Sequence, residues 1–261
     1  MGSHLSVDTP PRTHGLLAGV TFLTRVPIRA AIEERDIAAS VAWFAVVGAL
    51  IGAAAGLVYA GASELWPAAI AAIVAIGASI AITGGFHEDG LADTADAFGA
   101  SSTGRDPGPA LKDPRVGAFG VIALVLGIGV RVAALGALPA AAGLSALVAA
   151  GALARGVSAG VIVAAPSTGQ GLGSTYASLT PRWRGIAGLV VGVVVATVAL
   201  GAAGLIACAI TIAGAALMAR WAVRSLGSVS GDVLGAIEQM GEIVTLLTAA
   251  AAVHAGWVFP F

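Results

Sequence analysis

The chain has 261 residues, 58% of them hydrophobic and only 10% charged, against roughly 25% charged in an ordinary soluble domain. Thirteen basic and fourteen acidic residues give a formal net charge of -1, which is too few ionisable groups to solvate a domain of this size and offers no basic stripe for nucleic acid. With a mean hydropathy of +0.96 and one cysteine, Cys208, inside an apolar run, composition excludes a soluble fold and a disulfide or cysteine-metal framework within one chain, and it points to an integral membrane protein.

Residues 1–13 read as a flexible polar N-terminus without the basic-then-apolar order of a cleaved leader, and residues 14–261 as one membrane-embedded domain. Leu16 to Ile28 is apolar but short and carries Arg25 and Pro27, which predicts an interfacial or re-entrant segment instead of a span. A bilayer core of about 30 Å needs about 20 apolar residues per helix. Runs of that kind lie at 38–60, 68–86, 118–135 and 141–165. The stretch from Gly185 to Ala219 is too long for one span and divides at Gly201-Ala202-Ala203-Gly204, and a last run covers 243–259. The expected fold is all-α, a polytopic bundle of about seven transmembrane helices. Gly48, Gly52 and Gly56 predict close helix approach in lipid.

Alternation of these spans puts the N-terminal region and connectors 87–117, 166–184 and 220–242 on one side. That side carries Arg12, Arg25, Arg29, Arg35, Arg105, Lys112, Arg115, Arg182, Arg184, Arg220 and Arg224. The opposite connectors hold no Lys or Arg, and Glu64 is their one carboxylate. The positive-inside rule makes the charged side cytoplasmic. Arg131 and Arg155 fall within spans and need internal partners. Arg155 is read as reaching toward an acidic site, Arg131 as a structural or snorkelling residue.

The most informative stretch runs Gly84-Gly85-Phe86-His87-Glu88-Asp89-Gly90-Leu91-Ala92-Asp93-Thr94-Ala95-Asp96. On a helix, Asp89, Asp93 and Asp96 occupy positions i, i+4 and i+7 and project from one face. Stacked like charges repel unless a cation or a shared proton compensates, and oxygen donors without Cys or paired His favour magnesium, calcium or manganese over zinc or copper. Lys112 and Arg115, in the segment Lys112-Asp113-Pro114-Arg115-Val116-Gly117-Ala118-Phe119-Gly120, are donors for phosphate or plain interfacial anchors. Near the C-terminus, Asp232 either caps a helix or ligates, and Glu238 and Glu242 stand at i and i+4 just before the last span.

These blocks, in this order, resemble the cobalamin synthase family, the adenosylcobinamide-GDP ribazoletransferases. The resemblance rests on Phe22-Leu23-Thr24-Arg25-Val26-Pro27, GGFHEDGLADTAD from Gly84 to Asp96, DPRVGAFG from Asp113 to Gly120, Gly171-Leu172-Gly173, and GDVLGAIEQMGE from Gly231 to Glu242. It covers nearly the whole chain. The chain departs from the family at Pro114, where Ser is usual, and at Arg105-Asp106-Pro107-Gly108-Pro109, which replaces a regular basic helix.

The resemblance implies an enzyme of a bacterial inner membrane, with its active site facing the cytoplasm. It would join alpha-ribazole or its 5'-phosphate to adenosylcobinamide-GDP with release of GMP, dependent on Mg2+. It implies Glu88, Asp89, Asp93 and Asp96 as metal ligands, and Glu88, Asp89 and Asp93 as catalytic with His87 as candidate base for the ribazole hydroxyl. Lys112, Asp113, Arg115, Arg155, Asp232, Glu238 and Glu242 would contact substrate. The partners expected are the two substrates and the bilayer, with no nucleic acid; a homo-oligomer is left open.

A CDP-alcohol phosphotransferase is the nearest enzymatic alternative. Its motif wants an aspartate where Phe86 stands and Ala-Arg where Ala92-Asp93 stands. A membrane prenyltransferase would need a second aspartate-rich repeat. A secondary transporter predicts mid-bilayer acids and an inverted repeat, whereas the acids are expected here at one surface.

Overall fold

A computed structural model describes residues 12–28, 32–166 and 172–260. Residues 1–11, Arg29 and Gly171 of the GLG triplet lie outside the described residues. The described residues form helices and connecting turns, with no strand among them: α1 (Arg12–Leu23), α2 (Glu34–Ser40), α3 (Phe44–Ser63), α4 (Ala68–Thr83), α5 (Phe86–Ser102), α6 (Pro107–Leu111), α7 (Ala118–Gly136), α8 (Ala140–Ala164), α9 (Leu172–Leu179), α10 (Arg182–Leu200), α11 (Ala202–Leu226) and α12 (Gly231–His254).

Six rods are long and apolar enough to cross a bilayer: Glu34–Ser63, in which a 3-10 turn joins α2 to α3, and α7, α8, α10, α11 and α12. A seventh is counted when α4 and α5 are taken as one broken span, since they meet at 91°. The expected all-α polytopic bundle is therefore found. The corner between α4 and α5 is made by two successive glycines, Gly84 and Gly85, at φ of 73° and 71°, a left-handed conformation that other residues adopt at a cost. Both donate their N–H to Ile80 O, at 2.7 and 3.0 Å, which closes the last turn of α4.

The apolar segment at Leu16 to Ile28 does not span. It forms α1 and an extended strap whose Arg25 N–H donates to Ile82 O at 2.7 Å, and Phe22 packs edge-on against Phe86 at the corner, ring centres 5.5 Å apart. The charge asymmetry places the strap and the α4–α5 corner on the basic side.

At the centre, α8 has 83% of its most apolar window buried. An alanine-rich core surrounds it, and α3 lies so close that a Cβ on Gly48 would sit 2.0 Å from Gly151 O. Small residues thus do allow the close approach expected of them, and in lipid such contact gains dispersion energy along the whole seam. At the far end of the bundle Tyr59 Oη lies 2.9 and 2.8 Å from the carbonyls of Leu135 and Leu138.

Two boundaries differ from the expectation: the run expected at 68–86 gives only α4, which ends at Thr83 and does not cross without α5, and the second difference lies near the C-terminus. The connector expected at 220–242 shrinks to 227–230, because α11 continues to Leu226 and α12 starts at Gly231. Ser230 caps α12, its Oγ accepting from Val233 N–H at 3.3 Å. Asp232 is accordingly not the cap, and Glu238 and Glu242 lie inside the helix instead of before it. Charge hid the span: a length rule discards a window with three carboxylates even when the fold supplies their partners.

Candidate active site

Two contacts, one between backbones and one from a carboxylate to backbone amides, hold α5 between α12 and α7. On one side, a Cβ on Gly90 would meet Asp232 O at 2.7 Å, and one on Gly235 would lie 3.4 Å from the Cα atoms of Gly90 and His87. The glycines of the two acidic blocks are thus the crossing point of α5 and α12. On the other side, Asp96 accepts from Gly117 N–H at 2.7 Å and Gly120 N–H at 3.0 Å. It neutralises free donors at the start of α7, where an anion is also favoured by the helix dipole. A Cβ at Gly117 or Gly120 would come within 2.5 Å of an Asp96 oxygen. The block DPRVGAFG therefore carries its glycines to make room for Asp96.

The outward face of this crossing is acidic. Asp89 is exposed, and Asp93, Asp96 and Asp232 are half-buried. Asp93 is repelled by Asp89, Asp232 and Asp96, and Asp232 by Asp89. No ion pair to Asp89, Asp93 or Asp232 is found among the described residues. Nor does any group of three His, Cys, Asp or Glu there close into a ready ligand set. Beyond Asp96 the loop exposes Lys112. Arg115, 86% exposed, grips Asp113 through Nε and Nη2 at 3.0 and 2.9 Å, and this contact holds the Asp113 carboxyl below the usual range. Asp113 Oδ1 also accepts from Arg115 N–H at 3.0 Å, a turn into which Pro114 fits.

The inward face is a buried ionic network. Arg131 donates to Glu242 Oε2 at 2.9 Å and Glu88 Oε1 at 3.0 Å, while Arg155 donates to Glu242 Oε1 at 2.9 Å and pairs with Glu238. Gln239 Nε2 donates to Glu238 Oε2 at 3.0 Å, and His87 Nδ1 stands 3.6 Å from that oxygen. Every one of these side chains is almost wholly buried. The cluster joins α5, α7, α8 and α12, so each helix contributes a charge that the others must satisfy. Glu242 lies eleven residues into α12, about 16 Å from its start.

The helical spacing correctly places Asp89, Asp93 and Asp96 on one face of α5, and Asp232 joins them. Glu88 turns the other way, to Arg131. His87 is buried against Glu238 and does not face the open side, which separates it from a hydroxyl arriving there. Glu238, Glu242 and Arg155 come together, but within the bundle; the expectation that all acids gather at one surface holds for the aspartates and fails for these glutamates. Arg131 does not snorkel: it is 1% exposed and links two carboxylates. Of its two readings the structural one fits, and its need for an internal partner was the signal in the sequence; Gln239 was not singled out.

A family model described as cobalamin-5-phosphate synthase matches residues 15–250. The chain is similar to an adenosylcobinamide-GDP ribazoletransferase of Bradyrhizobium diazoefficiens, 38% identical over 90% of this chain and 93% of the relative. Proteins of the same name from Shewanella amazonensis and a Roseiflexus species are 32% and 34% identical over 88% and 87% of this chain, and 92% and 85% of their own. No solved structure matches it.

Proposed function

The chain belongs to the cobalamin-5-phosphate synthase family, and on that premise we propose how it acts as an adenosylcobinamide-GDP ribazoletransferase of cobalamin biosynthesis. A hydroxyl oxygen of alpha-ribazole, or of its 5'-phosphate, bonds to the cobinamide-side phosphorus. The bond from that phosphorus to the bridging oxygen breaks, GMP leaves with the electron pair, and the hydroxyl proton is lost.

The observation that carries the site assignment is the acidic outer face at the α5–α12 crossing, where Asp89, Asp93 and Asp232 share one surface with no ion pair to any of them among the described residues. Uncompensated oxygen donors of this kind suit a hard cation, and magnesium takes only one or two carboxylates while substrate phosphates and water fill its remaining positions. Asp89 and Asp93 would hold it, with Asp232 beside them. When bound, it would neutralise the diphosphate and the departing GMP. Asp96 keeps its place through the start of α7 and fixes the angle at which α5 presents the pair. Glu88, Glu242 and Arg131 fix the rotation of α5 from beneath.

Lys112 and Arg115, on the loop that Asp96 anchors, supply cations for the guanosine diphosphate portion, and Arg115 exchanges Asp113 for phosphate when it does so. The excess of Lys and Arg in the connectors on this side supports a reading in which the face looks into the cytoplasm from a bacterial inner membrane. In the test, detergent-purified protein is given adenosylcobinamide-GDP and alpha-ribazole, with Mg2+ or with EDTA, and GMP is followed by chromatography. Asp89→Asn and Asp93→Asn should each slow GMP release by at least about 100-fold. Full rates in both variants would remove the metal assignment, and no GMP from folded wild-type protein would remove the reaction.

A further inference from the structure

Helices α8, α10 and α11 leave between them a cavity of about 820 Å³, within the range of about 300–1,000 Å³ that holds small ligands. Its walls are apolar, with Val157, Leu189 and Ile212 among them, and none of its lining residues belongs to the acidic face or the buried network. Three arginines line the end toward the basic side: Arg182 at the start of α10, and Arg220 and Arg224, one helical turn apart at the end of α11. All three are exposed, and none forms an ion pair among the described residues. Both α10 and α11 have only 33% of their apolar windows buried, so the chamber stands where lipid surrounds the protein.

Anchoring arginines need only their helix ends. An apolar chamber with three arginines in its lining suits a molecule with an anionic head and a hydrocarbon tail. Free phosphate would satisfy the arginines and leave the chamber empty. Basic pockets between helices at the cytoplasmic interface have the right chemistry for phosphate-bearing lipid heads. We propose that this cavity binds an anionic phospholipid of the surrounding bilayer, its phosphate on Arg182, Arg220 and Arg224 and an acyl chain between α8, α10 and α11.

The test uses full-length protein in mixed micelles of phosphatidylglycerol and phosphatidylcholine, with retained lipid counted by native mass spectrometry. Wild-type protein should retain phosphatidylglycerol at least about tenfold over phosphatidylcholine. Combined replacement of Arg182, Arg220 and Arg224 by Gln should abolish that preference, while Arg105→Gln, an exposed arginine elsewhere on the same side, keeps it. Because the triple variant removes three charges at once, Ala216→Trp, which fills the chamber and leaves the arginines intact, gives a second reading: retention should fall there too.

Equal retention of both lipids by wild type, an unchanged preference in the triple variant, or undiminished phosphatidylglycerol retention in the Ala216 variant overturns the proposal. So does displacement of phosphatidylglycerol by millimolar inorganic phosphate or alpha-ribazole 5'-phosphate, which would mark a soluble-phosphate site. The readout is lipid retention, so a failure of the catalytic assignment leaves it untouched.

Discussion

Replacing Arg131 by Met isolates the worth of the buried network. Three carboxylates, Glu88, Glu238 and Glu242, share two guanidiniums, leaving one formal negative charge beside His87. Arg131→Met would leave three carboxylates against Arg155 alone, doubling the excess in a site from which water is excluded. Breaking one partner out of a buried pair costs about 3–5 kcal/mol, and in a chain of this length each kcal/mol moves the Tm by about 2–4 °C. The variant should therefore melt about 6–20 °C lower in detergent, followed by circular dichroism.

Glu88→Gln acts in the opposite sense. It balances two carboxylates with two guanidiniums and still accepts from Arg131, so its loss should stay below about 1.5 kcal/mol. Added to Arg131→Met it returns the formal charge to the wild-type value, and the double variant should regain about half the lost stability, a coupling typical of residues in one network. A Tm for Arg131→Met within about 2 °C of wild type, or a double variant no more stable than Arg131→Met alone, would refute the reasoning.

Asp96→Ala strips the acceptor from two amides at the start of α7 and should cost about 1–2 kcal/mol. Gly117→Ala should cost a similar amount by displacing the same carboxylate, and the two together less than their sum, read from denaturation midpoints. Gly48→Ala should destabilise by about 1–3 kcal/mol and lower kcat as well, because its Cβ would press on Gly151 O and on Arg155 Cδ, 2.7 Å away. Tyr59→Phe, at the opposite end of the bundle, should lose about 1 kcal/mol with kcat unchanged in the GMP assay.

Much of the architecture was legible because lipid permits few solutions. Uncharged runs of the right length became α3, α7, α8, α10 and α11, and the turn between the last two fell at Gly201, the first residue of the Gly-Ala-Ala-Gly break. The i, i+4, i+7 spacing of Asp89, Asp93 and Asp96 was legible too, since it depends only on helix geometry. The inward face was not. Whether a glutamate in an apolar helix looks outward or inward depends on which helix crosses it, and Gly90 against Asp232 is a contact over more than 140 positions that no local pattern encodes. For the same reason Asp96 looked like a ligand: nothing near it in sequence shows that the amides of Gly117 and Gly120 return to it.

That return closes the neck of the excursion at 103–116. With both ends tied at Asp96, the excursion can change in length or composition at small cost, since each doubling of a flexible loop adds only about 0.6 kcal/mol. The two places where this chain leaves the usual family pattern, 105–109 and Pro114, both lie within that tied-off segment. In this chain one is the short helix α6, capped by Asp106 accepting from Gly108 N–H at 3.0 Å, and the other is a proline turn. Apart from Lys112, Asp113 and Arg115, the segment is therefore free to diverge, or to accept a grafted tag, without moving Asp89 or Asp93.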